Sequence, residues 1–395
     1  MSVSLCMIVK DEEATLADCL ESVRDVVTEM IVVDTGSTDQ TAAIARDAGA
    51  KVYDFDWQGD FAAARNESLK YAQGDWILVL DADELLVPTA IPALRKVMQD
   101  EDCLVINLVR QELATNQVPY SLVSRLFRRH PALQFARPYH ESIDDSVMAL
   151  IATEPHWKIV ELAGITIRHS GYTPAAIAKR NKLERARSTM ENYLQAHPTD
   201  PYTCNKLGAL YLEIGDTAPG RDLLQRGLQA ETIEPNVRYE LHYHLAGSYS
   251  QTDEYDLADK HFQAAVEQPI SPYLKLGAYN NWGDMRMRQN NPMAAIVLFQ
   301  KVVNVSPNLA LGFFNLATAF KGAGNLEGAI ACYEQAIALE PTYAEAHQGL
   351  GASLMKGGQI LPSLEAFRRA IALYEQQGSP EAARLRQVLQ EMNLA

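Results

Sequence analysis

Residues 76–84 decide the fold of this chain, and they read Trp76-Ile77-Leu78-Val79-Leu80-Asp81-Ala82-Asp83-Glu84. The five consecutive apolar residues predict a central strand that is covered on both faces of a parallel sheet. Ligands bind beyond the carboxyl ends of such strands, which is where the acids fall. Asp81 and Asp83, separated by one residue, suit Mg²⁺ or Mn²⁺, which prefer oxygen ligands. An Asp-x-Asp sequence alone also occurs in turns and helix caps, so the strand context carries this prediction.

Short apolar runs alternate with helical patterns from the first residues to about residue 109. Residues 3–9 and 30–34 are predicted strands, and between them four apolar residues share one face of a helix, namely Leu16, Leu20, Val23 and Val27. A short strand near residue 52 and a helix over residues 61–72 lead into the strand at residues 76–80. This βαβαβα order predicts an α/β domain with a mostly parallel, Rossmann-like sheet.

A second predicted strand also ends in an acid, in the stretch Ile31-Val32-Val33-Asp34-Thr35-Gly36-Ser37-Thr38-Asp39. Asp34 at this position could accept hydrogen bonds from the N–H of a base and from ribose hydroxyls, and Gly36 permits an unusual backbone turn. The alternative is that Asp34 and Asp39 only cap the next helix. We favour capping for Asp39, as the N-cap of a helix that starts near Gln40.

Beyond about residue 174 the strand patterns stop and a repeat of 34 residues begins. Its clearest copies contain Trp282-Gly283, Leu316-Ala317 and Leu350-Gly351, and looser copies start at Leu207-Gly208 and Leu245-Ala246. The period, the small residues where helices cross and the closing prolines resemble the tetratricopeptide repeat. This resemblance predicts an all-α solenoid of about five repeats over residues 199–379. A connecting helix at residues 173–198 is predicted before the repeats, and a capping helix at residues 380–395 is predicted after them.

Composition and charge narrow the class of protein. The net charge is −15, and residues 1–172 hold 15 Lys and Arg against 27 Asp and Glu, which disfavours binding to nucleic acid. The five scattered cysteines form no CxxC pair, which favours a reducing compartment. No run approaches the roughly 20 apolar residues that a membrane span needs, and no leader pattern precedes the first strand. We therefore predict a soluble, cytoplasmic protein.

Four ordered motifs in residues 2–172 resemble the GT-A fold of glycosyltransferase family 2. They are Met7-Ile8-Val9-Lys10-Asp11-Glu12-Glu13, Val33-Asp34-Thr35-Gly36-Ser37-Thr38-Asp39, Asp60-Phe61-Ala62-Ala63-Ala64-Arg65-Asn66, and Gly74-Asp75-Trp76 leading into Asp81-Ala82-Asp83-Glu84. A tetratricopeptide tail after this domain resembles the branch that includes peptide S-glycosyltransferases of the bacteriocin-modifying type. Residues 1–172 are thus the predicted glycosyltransferase domain.

The resemblance implies a nucleotide-sugar donor, with a UDP-sugar favoured, together with Mn²⁺ or Mg²⁺ and inversion at the anomeric carbon. It implies that Asp34 meets the base or ribose, that Arg65 and Asn66 contact the nucleotide, and that Asp81 lies at the ribose or just behind it. Asp83 is the implied metal ligand. Arg65 is open to a second interpretation, as a salt-bridge partner for an acidic surface.

An inverting displacement needs a general base, a carboxylate or histidine near the acceptor and opposite the leaving group. Tyr139-His140-Glu141 resembles the His-Glu pair of this branch. Glu141 is the predicted base with His140 in support, and a structural loop pair is the alternative. His169, after a predicted strand, is a candidate third metal ligand or else a structural histidine. The arginines that could meet a diphosphate, which the sequence does not rank, are Arg125, Arg128, Arg137 and Arg168.

Three functions compete on this basis. The leading hypothesis is an active glycosyltransferase whose repeats bind a protein or peptide acceptor or mediate self-association. The alternative is a tetratricopeptide scaffold with a degenerate, non-catalytic transferase domain, and the intact acids Asp81 and Asp83 count against it. A sugar-phosphate nucleotidyltransferase is discounted, because its glycine-rich phosphate loop would follow the first strand, where this chain has Lys10-Asp11-Glu12-Glu13.

Overall fold

The computed structural model describes residues 1–113, 120–139, 141–170 and 176–392, apart from the side chains of residues 163, 176–183 and 185. Two compact units make up the chain, residues 1–233 and residues 234–395. The first unit extends beyond the predicted end of the transferase domain at residue 172. The predicted domain boundaries stay a prediction, and each unit is described by itself.

The first unit begins with alternating strands and helices. Its elements in chain order are β1 (Val3–Val9), α1 (Leu16–Val23), β2 (Glu29–Asp34), α2 (Thr41–Asp47), β3 (Lys51–Asp54), α3 (Phe61–Tyr71), β4 (Trp76–Val79), β5 (Glu84–Leu86), α4 (Ile91–Val97), β6 (Cys103–Glu112), β7 (Tyr120–Arg128), α5 (Asp144–Thr153), β8 (Lys158–His169), α6 (Ala176–Ala196), α7 (Pro201–Glu213) and α8 (Thr217–Gly227). The predicted βαβαβα order is confirmed from β1 to α3 and into β4.

The strands form one eight-stranded sheet in the order β3-β2-β1-β4-β7-β6-β8-β5. β1 pairs in parallel with β2 and β4, and β2 pairs in parallel with β3. β7 is antiparallel to β4 and β6, whereas β6 is parallel to β8, and β5 is antiparallel to β8. This mixed, mostly parallel sheet confirms the predicted fold class. Because β1, β2 and β4 run the same way, their carboxyl ends meet at one edge.

Both faces of the central strands β1 and β4 are buried, which explains why these two strands are almost continuously apolar. Leu78 in β4 packs in the hydrophobic cluster on one face, whereas its neighbours Ile77 and Val79 pack in the cluster on the other. Leu5 and Cys6 divide between the same two clusters in β1. Side chains alternate across a strand, so only an unbroken apolar run can fill both clusters. Each large side chain buried here stabilises the fold by about 1.5–3 kcal/mol.

The Gly74-Asp75 pair before β4 fixes that strand beside β1. A Cβ atom on Gly74 would lie 2.7 Å from the backbone nitrogen of Ser4, so any larger residue would push the two strands apart. Asp75 accepts a hydrogen bond from the backbone N–H of Ser2 at 2.8 Å. This part of the fourth motif therefore sets where the acids at the end of β4 come to lie.

The second unit consists of helices that pack in successive pairs. They are α9 (Pro235–Gln251), α10 (Tyr255–Val266), α11 (Leu276–Arg288), α12 (Pro292–Val305), α13 (Ala310–Gly322), α14 (Leu326–Leu339), α15 (Ala344–Lys356), α16 (Ile360–Gln376) and α17 (Glu381–Glu391). A Cβ atom on Gly283 would lie 2.5 Å from the ring of Phe299, and one on Gly351 would lie 2.8 Å from the ring of Phe367. The small residues of the repeat thus make room for an aromatic ring of the paired helix, as the sequence predicts.

The turn inside each of the three clear repeats has the same backbone conformation. The residues there have positive φ and follow one another at the 34-residue interval, namely Asn290 (55°), Gly324 (82°) and Gly358 (77°). A left-handed residue after a helix ends it and sends the chain back along itself, and glycine or asparagine adopts this conformation at least cost. Together with the packing of the helices, this turn confirms the predicted tetratricopeptide repeats.

Within the part of the chain that the structure describes, no helix is both long enough and apolar enough to cross a bilayer. All five cysteines are free. The predicted cytoplasmic location stays a prediction.

Candidate active site

A tight turn after β4 presents the acids of the opening stretch. The backbone N–H of Glu84 donates to the carbonyl of Asp81 at 3.0 Å, and the N–H of Asp81 donates to Glu84 Oε2 at 2.9 Å. Glu84 is completely buried, so its side chain holds the turn from inside. The turn directs Asp81 and Asp83 to different neighbours, and these form two clusters of charged side chains.

The arginine cluster consists of Asp81, Arg65 on α3, Arg125 on β7 and Glu141. Arg65 Nη2 lies 2.5 Å from Asp81 Oδ1, and its Nε lies 2.5 Å from Glu141 Oε1. Arg125 Nη2 lies 2.8 Å from the other oxygen of Asp81. Burial raises the pKa of the Asp81 carboxyl, but the guanidinium groups of Arg125 and Arg65 outweigh burial and hold this pKa well below its usual range. The two arginines balance the two carboxylates in charge.

The side chains of α3 bind protein groups. Arg65 is only 3% exposed and has its guanidinium on two carboxylates, which matches the salt-bridge interpretation of this residue. The amide of Asn66 accepts from the N–H of Phe135 at 2.8 Å and donates to its carbonyl at 2.9 Å. The N–H of Phe61 donates to the carbonyl of Pro138 at 3.0 Å. Helix α3 therefore fixes the loop that leads to Glu141, and the predicted nucleotide contacts of Arg65 and Asn66 stay predictions.

The histidine cluster consists of Asp83, His169, Glu112, Arg110 and Glu84. His169 Nε2 lies 3.0 Å from Asp83 Oδ2, and its Nδ1 forms a hydrogen bond with Glu112 Oε2. Arg110 Nε lies 2.9 Å from Glu112 Oε1, and Arg110 Nη1 lies 2.9 Å from Glu84 Oε1. The side chains of Asp83 and His169 are 18% and 22% exposed, so solvent reaches this pair. The two residues predicted as metal ligands are thus in contact.

Both ring nitrogens of His169 face carboxylate oxygens. Hydrogen bonds to Asp83 and then to Glu112 raise the pKa of His169 to about 10. Burial raises the pKa of Asp83, but the hydrogen bond with His169 and the charge of that ring together outweigh burial and lower the pKa. An unprotonated imidazole nitrogen and a carboxylate oxygen are both acceptors, so this contact requires either a proton that the two atoms share or a metal ion that both of them ligate.

The donor chemistry of this pair fits the implied cation. A carboxylate oxygen and an imidazole nitrogen are ligands that Mn²⁺ accepts, and the other ring nitrogen is held by a carboxylate, as is usual for a metal-bound histidine. Within the described residues, no group of three or more His, Cys, Asp or Glu side chains could hold a metal. Asp83 and His169 therefore suit a cation that completes its shell with water and the phosphates of a ligand.

The remaining predicted site residues lie nearby or outside the described residues. Glu141 follows the loop at residues 135–139, and its side chain is 12% exposed. His140 lies outside the described residues. Asp34 ends β2 at the same edge of the sheet, 5% exposed, and its Oδ1 accepts from the N–H groups of Gly36 and Ser37 at 3.0 and 2.7 Å. Part of the Asp34 carboxylate thus shapes its own turn, in which Gly36 has a φ of 101°.

Asp39 ties two loops together. The predicted N-cap is wrong by one residue, because α2 begins at Thr41 and Gln40 occupies the cap position. Asp39 instead accepts from the N–H of Thr41 at 2.9 Å and from the N–H of Glu13 at 3.1 Å. These bonds join the loop after β1 to the loop after β2, so the role of Asp39 is structural.

The four arginines that are candidates for binding a diphosphate lie in different parts of the domain and contact different groups. Arg125 belongs to the arginine cluster. Arg128 donates to the backbone carbonyls of Cys103 and Asp100 and covers the ring of Trp76, so it closes the sheet at the other end of β4. Arg137 forms ion pairs with two carboxylates, those of Asp145 and Asp200. Arg168 is exposed on β8.

Sequence reasoning missed Arg110 and Glu112. Both lie at the end of β6, after an apolar run, and two residues apart, which puts them on one face of the strand. Parallel pairing with β8 then sets Glu112 opposite His169. The only sequence signal for these two residues was the charged end of an apolar strand. The pairing of β6 with β8 joins residues that are far apart in the chain, so no local pattern indicates it.

The mixed α/β sheet with acids at its strand ends and the helices with a 34-residue period fit a glycosyltransferase domain joined to tetratricopeptide repeats. The family model for glycosyl transferase family 2 matches residues 4–160, and a TPR repeat model matches residues 320–358. A TPR repeat-containing protein of Synechococcus elongatus is 45% identical over 392 residues, which are 99% of this chain and 97% of that protein. The chain belongs to the same family as this TPR repeat-containing protein, and its residues 4–160 are a family 2 glycosyltransferase domain.

More distant similarities cover parts of the chain. The glycosyltransferase SunS of Bacillus subtilis, which derives from the SPbeta prophage, is 30% identical over 209 residues, or 51% of this chain and 47% of SunS. The crystal structure of YrrB, a TPR protein, covers 52% of this chain and all of YrrB with a TM-score of 0.43 and 14% identity.

Proposed function

We propose that this protein transfers a sugar from a nucleotide-sugar donor, with a UDP-sugar favoured, to a protein or peptide acceptor. The reaction depends on Mn²⁺ or Mg²⁺ and inverts the anomeric carbon. The observation that carries this proposal is the contact between Asp83 and His169 at the carboxyl edge of the sheet in a family 2 domain. Their donor atoms lie 3.0 Å apart and within reach of solvent, where a nucleoside diphosphate can bring its phosphates.

Asp83 and His169 would hold the cation, which when bound offsets the negative charge that develops on the departing nucleoside diphosphate. Asp34 would accept hydrogen bonds from the base or ribose through Oδ2, because Oδ1 is engaged by its own turn. Asp81 would lie at the ribose side, held by its two arginines.

Glu141 would act as the general base that takes the proton from the attacking acceptor atom. Arg65 contacts Glu141 through Oε1, so we assign the acceptor proton to Oε2. This ion pair fixes the direction of the Glu141 side chain. His140 would support Glu141 on the acceptor side. Arg65 would thus serve the reaction by holding Glu141 and Asp81 in place.

The acceptor class rests on the repeats. Tetratricopeptide arrays bind protein segments on an extended surface, and about half of this chain is similar in sequence to the glycosyltransferase SunS. We propose that the repeats bind the acceptor polypeptide or a second copy of the chain.

The first test is calorimetric titration of UDP into the full-length protein with and without Mn²⁺. We expect binding that requires Mn²⁺, and we expect the Asp83→Ala variant to lose it while keeping its fold by circular dichroism. A screen of nucleotide sugars for Mn²⁺-dependent hydrolysis then identifies the donor. Binding of UDP that is equally strong without metal would contradict the proposal. No binding of any nucleoside diphosphate would instead favour the scaffold hypothesis.

A further inference from the structure

We propose that Glu112 and Arg110 are positioning residues that hold His169 and the turn at residues 81–84 in the geometry required for metal binding. This inference rests on the proposed function, because it assigns a role to side chains that touch the metal ligands. Neither residue belongs to the motifs that carry the family resemblance.

The side chains concerned close a ring of hydrogen bonds. His169 binds Asp83 on one side and Glu112 on the other, Arg110 joins Glu112 to Glu84, and Glu84 returns to the same turn through the N–H of Asp81. The ring therefore connects both ends of the Asp-Ala-Asp-Glu turn to two neighbouring strands. Movement of any one side chain would require the others to move.

Strand register places the members of this ring. In the pairing of β6 with β8, Glu112 lies opposite His169, and in the pairing of β5 with β8, Glu84 lies opposite the same histidine. Arg110 lies two residues before Glu112 on β6, so the two side chains share a face. Three strands thus converge on His169, and the backbone sets the distances before any ligand binds.

Glu112 gives His169 a defined orientation. Its Oε2 accepts the proton on Nδ1, which leaves Nε2 as the nitrogen that faces Asp83. Without a partner on Nδ1, the ring could rotate or take the other tautomer, and the ligand nitrogen would no longer be fixed. A carboxylate on the far nitrogen also makes the near nitrogen a better ligand.

Arg110 supplies positive charge to a cluster in which three carboxylates lie close together. Asp83, Glu84 and Glu112 are all acids, and Glu84 is fully buried. A buried carboxylate without a cation is strongly destabilising, and Arg110 supplies that cation to Glu84 while its Nε holds Glu112. Arg110 thus keeps Glu112 aimed at His169 and leaves Asp83 without an arginine of its own in this cluster.

The test is a titration of Mn²⁺ into the full-length protein at fixed pH and saturating UDP, with free Mn²⁺ followed by electron paramagnetic resonance. Four variants are compared with the unaltered chain, namely Glu112→Ala, Glu112→Gln, Asp83→Ala and Glu161→Gln. Glu161 is an exposed residue on β8, so its substitution by Gln controls for loss of a negative charge on the strand. Thermal unfolding of each variant separates a loss of metal binding from a loss of fold.

We expect Glu112→Ala to weaken Mn²⁺ binding by roughly 10–100-fold, as for other residues that support a metal-bound histidine. Glu112→Gln should lose less, because its amide oxygen still accepts the Nδ1 proton, and Glu161→Gln should bind like the unaltered chain. Full Mn²⁺ affinity in Glu112→Ala, with binding lost in Asp83→Ala, would overturn this inference and leave the proposed function intact. Full affinity in Asp83→Ala as well would overturn the proposed metal site itself.

Discussion

Asp81 of the arginine cluster and Asp83 of the histidine cluster lie two residues apart in the chain, yet the side chains around them differ in charge. Asp81 binds two guanidinium groups, at 2.5 and 2.8 Å, and these groups are charged at every physiological pH. Asp83 binds the ring of His169, which can release a proton. The comparison shows that the two acids of an Asp-x-Asp sequence need not share a task, because their neighbours from distant strands decide what each can bind.

The difference in net charge points to where a cation is attracted. The arginine cluster is neutral, since two arginines face two carboxylates. The histidine cluster has a net charge of −2 when His169 is neutral, because the three carboxylates of Asp83, Glu84 and Glu112 are balanced by the single positive charge of Arg110. A divalent cation near Asp81 would meet two fixed positive charges, whereas near Asp83 it would replace a proton. Asp83 is therefore the better ligand, and Asp81 the better anchor for the turn.

The largest effect that we expect concerns the stability of the arginine cluster. Replacing the buried Arg65 by Met leaves Glu141, whose side chain is 12% exposed, without this partner, which should cost about 3–5 kcal/mol of unfolding free energy. Asp81 keeps its second arginine, Arg125. Urea unfolding followed by tryptophan fluorescence measures this loss. The control is Arg24→Met, because Arg24 forms an exposed ion pair with Glu21 and should cost less than about 1 kcal/mol. Equal losses of unfolding free energy in the two variants would show that the ion pairs of Arg65 do not stabilise the fold.

A smaller effect concerns Asn66, and it tests whether helix α3 also contacts the nucleotide. Asn66→Ala removes both hydrogen bonds to the backbone of Phe135 and should cost about 1–3 kcal/mol of unfolding free energy. We expect the affinity for UDP, measured by calorimetry with Mn²⁺, to stay unchanged. A weaker affinity without loss of stability would confirm the nucleotide contact that the family resemblance implies for Asn66 and would extend the donor site to α3.

Local periodicity made much of the fold predictable. The unbroken apolar runs of β1, β2 and β4 and the 34-residue repeat each depend on residues close together in the chain, so the sequence alone indicates them. The second half of the sheet depends on pairing between distant strands. β6 lies between β7 and β8, and no local pattern indicates that order or the register that it imposes.

The site was predictable in its residue types and less so in its contacts. The acids at strand ends pointed to one edge of the sheet, and Asp83 and His169 meet there. Arg65 and Asn66 lie in a motif of the family, yet their side chains bind Glu141, Asp81 and the backbone of Phe135. A motif records which residues are present, whereas the partner of a long polar side chain depends on the three-dimensional neighbourhood.

The central claim, that Asp83 and His169 bind the cation and Asp81 does not, is tested most directly by pulsed electron paramagnetic resonance of the Mn²⁺–UDP complex of the full-length protein. A histidine nitrogen bound to Mn²⁺ produces a nitrogen hyperfine coupling that carboxylates and phosphates do not. We predict this coupling in the unaltered protein and in Asp81→Asn, and its loss in His169→Gln. A coupling that persists in His169→Gln, or that is absent from the unaltered protein, would contradict the account.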